Sequence, residues 1–187
     1  MTRPRRRLQG LSSWEIAAII CVVGSVLAVF VPAFLRELRT SKTSEATDNL
    51  RILHQRAAAY FVERHRPEEG EGPTQTRCLP PTAGPAPRVP TEDAHEVDFQ
   101  SDDTPGHVTW RALGFAPDLP VRYSYTFEPT APGCGLRSPE NTYLLTIRAE
   151  GDLDDDGERS IFERRARATD DGELVPSDVL YIRDRVE

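Results

Sequence analysis

An α+β fold, one long N-terminal helix packed on a four-stranded antiparallel sheet, is what this 187-residue chain predicts, on three observations. Residues Ile16 to Leu35 form a run of twenty without a charge. Directly after it the apolar positions recur at steps of three and four as far as Phe61, the spacing of an amphipathic helix. In the C-terminal half the period shortens to two, over several runs of β-favouring residues. Beyond the apolar run there is chain for one modest domain with a single core.

The apolar run is the first element to justify. At about 1.5 Å per residue it reaches roughly 30 Å, the thickness of a hydrocarbon core. It is preceded by Arg3, Arg5, Arg6 and Arg7 without an acid among the first ten residues. Basic flanks stay in the cytoplasm, so everything after Leu35 is expected on the exported side. A cleaved secretory signal fits less well, because the run is longer than such an apolar region and no small-x-small site closes it before Arg36. Setting the four arginines aside takes the formal net charge from −7 to −11. A head this acidic is repelled by phosphate backbones, so no nucleic-acid partner is expected.

Glu15 stands at the N-terminal edge of the run, where an acid costs up to a few kcal/mol unless it finds a cation or reaches the interface. A cut between Gly10 and Leu11 would create that cation: a new α-amino group four residues away, on the same chain or a neighbour. Pro32 removes a ladder hydrogen bond from the carbonyl of Ala28 and Gly24 is a second soft point, so both mark places where the helix can bend.

This N-terminal pattern resembles the type IV pilin-like proteins, pseudopilins included. The match consists of the basic leader, Gly10 before the cut, apolar Leu11 as the first mature residue, Glu15 at the fifth, and Gly24 and Pro32 where pilin helices carry a flexible glycine and a kinking proline. The resemblance implies cleavage after Gly10 by a membrane prepilin peptidase and N-methylation of Leu11. It implies residence in the inner membrane with a cytoplasmic N-terminus, followed by assembly with copies of itself and other pilin-like subunits into a periplasmic or cell-surface filament. The chain then divides into a leader over 1–10, a long helix over 11–66 that spans the membrane at 16–35, and a head over 67–187.

Within the outer half of the helix Ala46, Leu50, Leu53, Ala57, Tyr60 and Phe61 make the apolar stripe, and Pro67, Gly70 and Gly72 end it. Residues 67–106, with Pro80, Pro81, Pro85, Pro87 and Pro90, read as a long surface loop. The sheet is expected within 107–187, with strands near 121–127, 143–149, 161–166 and 179–182. Trp110, Leu113 and Phe115 are expected to plug the junction of helix and sheet. Cys21 lies in the membrane run, whereas Cys78 and Cys134 lie in the exported part, where an oxidising compartment permits a bridge. Closing that loop should stabilise the head by about 4 kcal/mol.

Between the second and third expected strands, Asp152, Asp154, Asp156, Gly157 and Glu163 fit the calcium-loop pattern D-x-D-x-D-G-x5-E. Two readings stand side by side: a Ca²⁺ loop closed by Glu163, or an acidic hairpin turn whose Asp-Gly supplies the positive φ. No cofactor is required otherwise. His54, His65, His95 and His107 form no metal pair, and neither a Gly-x-Ser-x-Gly elbow nor a phosphate loop occurs, so an enzyme is not expected. The function that follows is a structural subunit of a type IV pilus or pilus-like filament. The alternatives are a pseudopilin of a type II secretion system and a membrane-anchored periplasmic binding module that never polymerises.

Overall fold

The structure is a computed structural model that describes residues 13–66, 73–139, 142–177 and 180–183, the side chains of 32–42 excepted. Gly10, Leu11, the helix stop at Pro67 and the start of the last expected strand at Val179 therefore lie outside the described residues, as does the Pro32 side chain. The chain divides into two units, Met1–Thr40 and Ser41–Glu187.

In the first unit the described backbone is helix from Ser13 onward, part of α1 (Ser13–Val62). The helix passes Gly24 with open space around it and continues in its backbone through Pro32. Its apolar side chains, Ile20, Val29 and Phe30 among them, are exposed.

The second unit begins with the rest of α1, whose stripe Ala46, Leu50, Leu53, Ala57 and Phe61 is fully buried. The helix stops at Val62, short of the expected Arg66, because the His65 backbone is captured by Gln75 in two reciprocal bonds of 2.7 and 2.8 Å. Six strands follow instead of four: β1 (Ala83–Ala86), β2 (Ser124–Pro129), β3 (Leu145–Gly151), β4 (Ser160–Ala168), β5 (Leu174–Pro176) and β6 (Tyr181–Arg183). Their order is β1-β2-β3-β4-β5, with β6 pairing the other end of β4, and every pair is antiparallel. Along β3 burial alternates, Leu145, Ile147 and Ala149 inward and Thr146, Arg148 and Glu150 outward, as one buried sheet face requires.

The two unexpected strands have separate causes. β1 lies inside the stretch read as a surface loop, and its Pro85 is compatible with pairing because β1 is the sheet edge. Gly84 sits at φ +92° with no room for a Cβ beneath the Tyr125 carbonyl, which lets the edge strand press against β2. β5 is three residues long, below what periodicity can register. The remainder of the proline-rich stretch is also fastened, by bonds of Thr91 to Arg122 and of His95 to Val121, and it delivers Phe99 to the core.

Between loop and sheet lies α2 (His107–Leu113), whose Trp110 and Leu113 are buried, followed by buried Phe115. Phe99, Trp110 and Phe115 meet with ring centroids 5.1–5.6 Å apart, and Phe115 meets Tyr125 at 5.7 Å. Edge-on aromatic contacts of this kind add to the free energy of burial.

His54 on α1 is buried, and its Nε2 has no hydrogen-bond partner. Burial, and then the charge of Arg164, push its pKa below 6.5. The folded head thus holds His54 neutral while the unfolded chain takes up the proton, so stability is full above pH 6.5 and declines as pH falls towards the folded pKa. His54→Leu should flatten that decline between about pH 6.5 and pH 5, read as melting temperatures of both chains across the window. Parallel curves would locate the acid sensitivity elsewhere.

Candidate functional site

Two regions carry chemistry that the core does not absorb: the exposed apolar helix and the acidic hairpin. Ser13–Val31 spans 19 residues at a mean hydropathy of 2.4 with none of it buried, which makes it long and apolar enough to cross a membrane. Glu15 lies in the first turn of α1, where the helix dipole favours a carboxylate, and it is half-buried rather than fully exposed. The expected cleavage site, Gly10 and Leu11, is outside the described residues, so the spacing of the Leu11 amine from Glu15 is read from the sequence alone.

The outer half of α1 is held to the sheet by a polar lock that sequence reading missed. Glu45 accepts the backbone N–H groups of Arg122 at 2.8 Å and Tyr123 at 3.3 Å, the Tyr125 hydroxyl at 3.2 Å, and an Arg122 guanidinium N–H at 3.5 Å. Asn49 completes it by donating to the Tyr125 hydroxyl at 2.8 Å. Burial, and then the Glu45 charge, raise the Tyr125 pKa well above its ordinary 10, so the hydroxyl remains a donor. A carboxylate that meets two backbone N–H groups ahead of a strand fixes the register of helix against sheet. Nothing in the spacing of residues 45 and 122 announces it.

Cys78 and Cys134 are joined by a disulfide across a sequence separation of 56, and Cys21 is free and exposed. The bridge lies beside a reciprocal backbone pair, Leu79 with Gly133, both bonds 2.9 Å.

The acidic stretch forms the connection between β3 and β4. Asp152 Oδ2 accepts the Gly157 N–H at 3.2 Å and Asp156 Oδ1 accepts the Glu158 N–H at 2.7 Å. Asp155 and Gly157 take positive φ, 59° and 87°, which turns the chain. Oxygens of Asp152, Asp154 and Asp156 lie within 4.8 Å of one another. Glu163 does not join them, contrary to the expectation that it closes the loop. It sits in β4 opposite Arg148, with one oxygen bonded to Arg148 at 3.1 Å and the other to Arg165 at 2.7 Å. A calcium hand brings its twelfth residue back on a helix, whereas an extended strand carries it away at about 3.3 Å per residue.

The four histidines are dispersed: His54 in the core, His65 bonded to the Tyr60 carbonyl, His95 against Thr91, and His107 3.5 Å from Asp102. Among the described residues the three aspartates are the one group able to converge on a metal ion.

A comparison with characterised proteins finds a distant similarity to the type IV major pilin protein PilA of Myxococcus xanthus (strain DK1622), 24% identical over 148 residues. The match takes in 79% of this chain and 47% of that relative, so the chain spans about half the length of the protein it matches. No family model matches the chain. No solved structure matches it.

Proposed function

We propose that the chain is a structural subunit of a type IV pilus or pilus-like filament, assembled through its N-terminal apolar helix after leader cleavage. The observation that carries this reading is the division of labour along α1: an exposed apolar stretch led by Glu15, then a stretch whose apolar face is buried under a disulfide-closed α+β head. A water-soluble protein does not leave so many apolar side chains uncovered. A bilayer covers them before assembly, with the N-terminus cytoplasmic, and neighbouring helices cover them afterwards. The distant similarity to a major pilin supports the same reading, favours the pilus over a secretion pseudopilin, and argues for a mechanical rather than an enzymatic role.

In this mechanism a prepilin peptidase cuts after Gly10, and the new Leu11 amine, methylated, meets the Glu15 carboxylate of an adjacent subunit as the helices pack. In an apolar filament core that pair is favourable only when both charges are present, since an isolated charge there is costly. The mature protein should therefore begin at methylated Leu11, read by mass spectrometry of the purified chain; an intact Met1 overturns the reading. Glu15→Ala should be processed normally yet yield few or no filaments by electron microscopy. Normal filaments from that variant would remove the charge pair while leaving the subunit role in place.

A further inference from the structure

We propose that Asp152, Asp154 and Asp156 form a Ca²⁺ site at the turn between β3 and β4, without Glu163. Three carboxylates whose oxygens approach within 4.8 Å repel one another unless something positive sits among them. The cation in the same loop does not serve, because Arg159 is bonded to Glu150 at 3.1 Å.

The second observation is the state of Asp152. The residue is only 8% exposed, and its Oδ1 is sealed from water with no hydrogen-bond donor, while Oδ2 alone receives the Gly157 N–H. A buried carboxylate oxygen without a donor is expensive, and native folds rarely tolerate one without a missing partner. A cation bound between Asp152 and its two exposed neighbours satisfies that oxygen and cancels the mutual repulsion.

The donor set selects the ion. Every candidate ligand is an oxygen, with no histidine or cysteine in the group, which disfavours Zn²⁺ and copper. The ligands come from an irregular turn rather than a rigid octahedral frame. That suits Ca²⁺, which accepts six to eight oxygens flexibly and fills its remaining positions with water or carbonyls, better than Mg²⁺. Three aspartates without a bidentate glutamate place the affinity among extracellular calcium modules, with Kd about 10⁻⁴–10⁻³ M.

The test uses the full chain in detergent micelles, stripped with a chelator and titrated with CaCl₂ by calorimetry, with melting followed in parallel. A saturable heat for one ion per chain is expected, with a rise in melting temperature of about 3–5 °C at ten times Kd. Asp154→Asn and Asp156→Asn, both at exposed positions, should each weaken binding at least tenfold while melting like the parent chain in chelator. Asp152→Asn should also lose binding, and in chelator it should melt no lower than the parent because it removes an unpaired charge. Absence of saturable heat and of any melting shift up to about 10 mM, an equal response to MgCl₂, or unchanged binding in the Asp154 and Asp156 variants would each overturn the site. None of these outcomes depends on whether the chain polymerises.

Discussion

Trp110→Ala is expected to destabilise the head by about 3–5 kcal/mol, the range for emptying a large aromatic site in a close-packed core. Trp110 has no exposed surface, and its ring is held by Phe99 at 5.6 Å and Phe115 at 5.5 Å. Its indole N–H donates to the Pro105 carbonyl at 2.9 Å, so truncation also strands an acceptor. The space cannot close easily. Gly84 of the edge strand, 3.3 Å from the Trp110 ring at its would-be Cβ, is already pressed against the Tyr125 carbonyl. Relaxation of β1 into the cavity would break its pairing with β2 at Ala83 and Ala86. The measurement is urea or thermal unfolding of the full chain in detergent, monitored by a head-specific signal. Trp14, 73% exposed on the apolar helix, is the internal control: Trp14→Ala should leave that transition where it was. A loss below about 1 kcal/mol for Trp110→Ala would mean that the aromatic cluster repacks, against the close packing drawn for it.

The fold was legible wherever a periodic pattern was long enough to integrate. Leu50, Leu53, Ala57 and Phe61 announced the buried stripe of α1, and the alternation through Tyr123, Tyr125 and Phe127 announced β2. Patterns failed where tertiary contact overrides local preference. The sequence Ala83-Gly-Pro-Ala86 contradicts every strand propensity, yet an edge position frees the proline of the need to donate and positive φ is natural to the glycine. Glu163 matched the last position of a calcium motif by count alone. Counting cannot say whether the chain leaves the loop as helix or strand, and it left as strand, into the grip of Arg148 and Arg165. Glu45 was invisible for a different reason. Its partners lie 77 to 80 residues away, and one sequence gives no sign of which exposed-looking glutamate on an amphipathic helix will be drawn under a strand. Local patterns thus located the elements, while the polar contacts that orient them came from the fold.

Replacing both Cys78 and Cys134 with serine should lower the stability of the head by about 4 kcal/mol without abolishing its fold. The reasoning rests on what surrounds the bridge. Leu79 and Gly133 exchange two backbone bonds of 2.9 Å, Gly135 donates to the Thr76 carbonyl at 3.1 Å, and Leu136 donates to that of Arg77 at 3.0 Å. These contacts do not need the sulfurs, so the native arrangement survives the double substitution. What changes is the unfolded chain, which gains the freedom of a loop that carries β1, α2 and β2 between its ends. A cost of that size corresponds to a fall in melting temperature of about 8–16 °C for a protein of this length. Reduction of the parent chain should reproduce the same fall, whereas Cys21→Ser should produce none, because Cys21 is unpaired and lies outside the head unit. A shift under about 2 °C in the double variant would show that the unfolded ensemble is already compact around the severed ends. For a subunit that must stay folded outside the cytoplasm, the expected result assigns the bridge a definite task. It keeps the edge strand and the aromatic cluster from opening together, since both lie inside the loop it closes.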